Sequence, residues 1–118
     1  MSEENQLGKI EISPTAIATL AAHAVLQSYG VVGMAAKNLA DELTTVLGDA
    51  AHRGVEVRMD DDSIQIDLYV VVEYGTRISS VAHSIMNVVK YNVERALGVS
   101  VAQVNVHVQG LRVSNMDA

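Results

Sequence analysis

Between residues 55 and 73, hydrophobic and polar side chains alternate. Val55, Val57 and Met59 are separated by Glu56 and Arg58, and Ile64, Ile66, Leu68, Val70 and Val72 by Gln65, Asp67, Tyr69 and Val71, with Glu73 following. A period of two places each set on one face of a strand. Asp60-Asp61-Asp62-Ser63 between the two runs has turn chemistry, so the segment predicts a hairpin. Gly75 closes its second strand. From Arg77 to Leu97 the spacing changes to three and four, with Ile78, Val81, Ala82, Ile85, Val88, Val89, Val93 and Ala96 forming a helical stripe. Gly98 stops that helix. Val104 to Val108 alternates again as a last strand, Gly110 marks a bend or bulge, and Leu111 to Val113 extends it.

The first half is less regular. Lys9-Ile-Glu-Ile12 predicts a short strand with one wet side. Ser13-Pro14 supplies an N-cap and a first-turn proline, opening a helix to about Ser28 with Ile17, Leu20, Ala21 and Ala24 on one side. Tyr29-Gly-Val-Val-Gly33 breaks it, and a second helix is predicted from about Asn38 to Leu47, stopped by Gly48. The predicted order is β-α-α-β-β-α-β. It implies a two-layer α+β sandwich: a mostly antiparallel sheet with helices on one face. The other face would carry Lys9, Glu11, Glu56, Arg58, Gln65, Asp67, Tyr69, Val71, Glu73, Asn105, His107 and Gln109. One domain over residues 1–118 is expected, with 1–6 and 114–118 as flexible ends.

Composition narrows the function. The chain has 118 residues and a net charge of −6, which disfavours non-specific binding to nucleic acid or an anionic membrane. With no Phe, no Trp and four Tyr, stacking platforms for bases are scarce. The absence of Cys removes disulfides, thiolate nucleophiles and Cys-ligated metals. The N-terminus is acidic and lacks a secretory pattern. The stretch from Ile12 to Ala36 has no charged residue, but Pro14, His23, Gln27, Ser28, Gly30 and Gly33 interrupt it. It reads as a buried helix and a loop rather than a membrane span.

The search for chemistry returns little. The four histidines, His23, His52, His83 and His107, lie in different elements without metal-ligand spacing. His107 could face Asp67 or Glu56 across the sheet, and a solvated histidine is the favoured reading. Asp60 to Asp62 lacks the ligand spacing and Gly turn of a calcium loop. No nucleophile elbow or paired-carboxylate site is evident. No catalytic residue, metal or cofactor is therefore expected. Gly30-Val31-Val32-Gly33, followed by Lys37, matches the Gly-x-x-Gly loop of the K-homology RNA-binding module, which lies between two helices. The valines and the acidic chain argue against RNA, which is kept as the alternative.

Three segments together resemble the bacterial alkaline shock protein family of envelope stress-response proteins. They are Gly8-Lys-Ile-Glu-Ile-Ser13 with Tyr29-Gly-Val-Val-Gly-Met34, Asp67-Leu-Tyr-Val-Val-Val-Glu-Tyr-Gly75, and Val104-Asn-Val-His-Val-Gln-Gly110. The resemblance implies a non-enzymatic cytoplasmic protein of envelope homeostasis that self-associates, with some relatives held near the membrane by integral partners. It carries over no catalytic residue. The expected role is that of an adaptor or assembly protein with a protein partner, membrane-anchored in some relatives, and with other copies of itself, without direct membrane insertion. The expected contact surface is the apolar pair Tyr69 and Val71 on the polar sheet face, with Glu73, His107 and Gln109 around it.

Overall fold

The structure is a computed structural model that describes residues 2–5, 7–35, 54–60 and 63–113. Its elements are strands β1 (Ser2–Asn5) and β2 (Gly8–Glu11), helix α1 (Pro14–Leu26), strands β3 (Val31–Met34), β4 (Val55–Asp60) and β5 (Ser63–Glu73), helix α2 (Ile78–Leu97) and strand β6 (Gln103–Arg112). The α+β class, with helices packed on one face of the sheet, is as the sequence predicts. The predicted helix at Asn38–Leu47 lies outside the described residues.

β5 is the centre of the main sheet. Along one edge it pairs antiparallel with β4, from Asp60 opposite Ser63 to Val55 opposite Leu68, and then with β3, whose Met34 faces Val70. Tyr69 marks the junction: its N–H donates to Gly54 O at 2.8 Å and its carbonyl accepts from Ala35 N at 2.9 Å. Gly54 is required there. Its φ is +81°, and an added Cβ would come within 2.7 Å of Ala35 O and 2.9 Å of Tyr69 O. On the other edge β6 runs parallel to β5, with Ile66 opposite Val104 and Val70 opposite Val108. A parallel neighbour needs a long crossover, and α2 supplies it.

The core lies between sheet and helices. Ile64, Ile66, Leu68, Val70 and Val72 of β5 are fully buried against Ile17, Ala21 and Val25 of α1 and Val81, Ile85, Val89 and Val93 of α2. The four α2 residues recur every fourth position, the stripe seen in the sequence. Each large side chain so buried contributes about 1.5–3 kcal/mol. α1 starts where predicted, with Ser13 Oγ accepting from Ala16 N at 3.1 Å ahead of Pro14. α2 ends at Gly98, in the left-handed region at φ 68°, whose N–H donates to Glu94 O. The Glu94 carboxylate then accepts from Val101 N at 2.8 Å and turns the chain into β6.

Two expectations are corrected. Lys9–Ile12 was expected in the main sheet, with Lys9 and Glu11 on its polar face. Instead β2 pairs with β1 in a separate two-stranded sheet, and Ile10 is 56 % exposed. Both edges of β5 are already taken by β3, β4 and β6, so this segment pairs with residues 2–5 instead. Tyr29–Gly33 was expected as a helix-breaking loop, yet Val31–Met34 is a strand. Its partner β5 lies far along the chain, and that pairing outweighs the local turn signal of two glycines.

Candidate functional site

The alternation of β5 turns Gln65, Asp67, Tyr69, Val71 and Glu73 away from the helices. At the middle of this outer face stands Asp67, whose side chain is 8 % exposed. Arg58 Nη2 on β4 donates to Asp67 Oδ2 at 2.7 Å. From β6, Asn105 Nδ2 donates to Oδ1 at 3.2 Å and His107 Nε2 bonds the same oxygen at 3.0 Å. One carboxylate thus ties three adjacent strands together. Burial alone pushes its pKa up. The bonds from His107, Asn105 and Arg58, with the guanidinium charge, outweigh burial and hold it below the ordinary value of 3.8. The His107 ring also stacks on Tyr69, centroids 4.5 Å apart and planes 11° from parallel.

The sequence-selected residues fall into two groups. Tyr69 and His107 meet in the stack, but Tyr69 is 8 % exposed rather than open. Its ring is consumed by the neighbour that was expected merely to flank it. Val71, half-buried, lies further along β5, with Glu73 beyond it opposite Arg112. Gln109 is exposed at a bulge: Val70 faces Val108 while Val71 faces Gly110, so Gln109 has no opposite number. The bend expected at Gly110 is therefore present. Arg58, Asp67 and Asn105 were placed on this face by sequence but not chosen as site residues. Their shared outward phase on neighbouring strands was the available signal.

Val71 has glycines on both sides: Gly33 opposite it on β3 and Gly110 opposite it on β6. A Cβ at Gly33 would meet nothing within 4 Å, and one at Gly110 would touch only Val71 itself at 3.8 Å. The valine thus stands between two positions without side chains.

The Gly30–Gly33 segment does not form a clamp between helices. Gly30 O accepts from Glu73 N at 2.8 Å, Val31 faces Val72, and Gly33 faces Val71. A backbone committed to a sheet ladder has few amides to offer a phosphate, and the alternative RNA reading is not favoured. Val32 is the extra residue at the β3 irregularity and is partly exposed. Lys37 lies outside the described residues. A groove of about 470 Å³ between α1 and α2, lined by Leu20, His23, Gln27, Asn92 and Arg95, presents no carboxylate among the described residues. No group of three or more metal-ligating side chains occurs among them either. Among the described residues no helix is long and apolar enough to cross a membrane.

The chain is similar over most of its length to several known proteins. The YloU protein of Bacillus subtilis (strain 168) is 47 % identical over 110 residues, 92 % of each chain. Spy1614 of Streptococcus pyogenes serotype M6 is 39 % identical over 108 residues, 90 % of this chain and 89 % of that one. YqhY of Bacillus subtilis is 33 % identical over 111 residues, covering 93 % and 82 %. Among solved structures, a zinc form of MamM CTD superposes with a TM-score of 0.52 at 14 % identity, over 87 % of this chain and 91 % of that one. MamM-CTD 215–293 gives 0.51 at 15 %, over 83 % and 99 %. At such identities the likeness is one of fold. The alkaline shock protein family, described by its cell envelope-related function, matches residues 2–113, and the chain belongs to that family.

Proposed function

We propose that this protein serves its envelope-related role as a non-enzymatic adaptor in the cytoplasm, reaching the membrane through a protein partner that docks on the outer face of the sheet. The observation that supports this reading is Val71 between Gly33 and Gly110. A half-buried apolar side chain with an open position on each side can accept a partner's side chains closely on both flanks. Glu73 and Gln109 form a polar rim. The Tyr69–His107 stack, anchored through Asp67, is the stiff floor beside it, so little ordering accompanies docking. Asp67 itself is nearly buried and ties Arg58, Asn105 and His107 together across three strands, which favours a structural role for it over catalysis.

The test is capture of partners by tagged wild-type and Val71→Asp protein from native cells, in membrane and soluble fractions, with nuclease on half of each. The reading expects nuclease-resistant protein partners on wild-type that are lost on Val71→Asp, while the variant still unfolds cooperatively. Equal capture by both proteins refutes the surface. Material lost on nuclease treatment revives RNA as the ligand.

A further inference from the structure

β6 forms one margin of the main sheet. Tyr69 and Glu73 turn their N–H groups to the β3–β4 side, to Gly54 O and Gly30 O. Alternate residues from Ile66 to Val70 therefore bond β6, and in the parallel register those bonds run to Gln103, Asn105 and His107. The N–H and C=O groups of Val104 and Val106 then point away from β5, and no strand among the described residues pairs with them. The apolar inner face is also uncovered at this margin: Val108 is 36 % exposed and Leu111 47 %. Unpaired edges of this kind take up strands from other chains.

The same chain carries a strand to offer. Among the described residues β1 and β2 pair with each other and with no other strand, and Leu7 and Ile10 are 98 % and 56 % exposed. A two-stranded hairpin is marginally stable alone in water and gains most by joining a larger sheet. Its charge suits the β6 margin: residues 2–11 carry Glu3, Glu4 and Glu11 against Lys9, whereas residues 103–112 carry Arg112 and no carboxylate. Its pattern suits the margin too. With Ile10 continuing the apolar inner face over Val108, Lys9 and Glu11 fall on the polar outer face beside His107 and Gln109.

We infer that the β1–β2 arm of one copy adds to the β6 edge of a second copy, extending its sheet and making the protein a self-associating unit. This goes beyond the adaptor reading and does not rest on it, since Val71→Asp leaves both arm and edge intact. The chain has no Cys, so introduced thiols report cleanly. Untagged Ile10→Cys and tagged Val108→Cys proteins are mixed and treated with a short bis-maleimide, with circular dichroism confirming the fold of each. The expected product is a tagged–untagged dimer formed in preference to either like-with-like product. Sedimentation should show reversible self-association that Ile10→Asp weakens about tenfold, the loss of one partly buried aliphatic contact. Should Val108→Cys fail to fold, the more exposed Leu111→Cys replaces it. Cross-links formed only between two Val108→Cys copies mean edge-to-edge pairing and overturn the inference. A monomer at every concentration, without mixed cross-links, overturns it as well.

Discussion

Replacing Asp67 with Ala tests the physical account of the outer face most directly. The substitution removes the acceptor of three hydrogen bonds, from Arg58, Asn105 and His107. A fully buried ion pair broken on one side costs about 3–5 kcal/mol, because the survivor is left charged and dry. Here the survivors are not dry: the Arg58 side chain is 55 % exposed and that of His107 42 %. Both can turn to water, so the loss is closer to about 1 kcal/mol for each of the three bonds, about 3 in all. For a chain of this size that is a fall in Tm of roughly 12 °C. The pH dependence is the sharper signature. The native pKa of Asp67 lies below 3.8, so the unfolded chain binds the proton more readily than the folded one. The stabilisation is present above the unfolded pKa and is lost as pH falls through the native one. Urea unfolding at a series of pH values should show wild-type and Asp67→Ala far apart at pH 7, with the gap closing from about pH 5 downward. A gap that stays constant with pH, or one below about 1 kcal/mol at pH 7, refutes the reasoning.

Further substitutions probe other parts of the argument. Gly54→Ala should destabilise by more than about 3 kcal/mol in urea unfolding, combining left-handed strain with a Cβ driven against two carbonyl oxygens; a loss under about 1 would contradict the packing at the β3–β4 junction. Ser13→Ala removes the cap bond to Ala16 N and should cost about 1 kcal/mol, seen as a Tm lower by roughly 4 °C. Val71→Asp on the outer face should change stability by less than about 1 kcal/mol while abolishing partner capture; unfolding of the variant would mean that Val71 serves the fold.

The parts of the fold that could be read from the chain are those whose information is local. The β4–β5 hairpin and α2 repeat their apolar residues at the period of the element they form. Ser13-Pro14 and Gly98 mark helix ends by their own conformational preferences. What could not be read depends on distant partners. The four residues of β3 have a strand's meaning only beside β5. Alternation in Val104–Val108 identifies a strand but not its direction, so the parallel pairing of β6 is a product of the α2 crossover. The arm at Lys9–Ile12 carries a valid strand pattern, and only the occupancy of both β5 edges decides that it pairs elsewhere. Tyr69 was expected to be exposed because its neighbours on that face are polar. Its burial comes from His107, some forty residues away, which the pattern of β5 does not contain.

The Asp67 cluster and the Val71 surface are joined by register. Sliding β6 by one residue would turn Asn105 and His107 toward the helices and Val104 and Val106 outward, so the bonds to Asp67 exist in one register only. Were β6 regular from there on, Gln109 would stand opposite Val71. The bulge skips it and brings Gly110 alongside instead. On the opposite edge the irregularity at Val32 brings Gly33 to the same valine. Neither glycine is needed by its backbone, since neither has a positive φ. Neither is needed by packing within the described residues, since a Cβ would fit at both. Glycine inside a strand weakens it by about 0.5–1 kcal/mol relative to Ala, so stability does not account for two of them flanking one residue. The fold's own requirements leave these positions unexplained, and close approach of another molecule to the outer face supplies a reason for both.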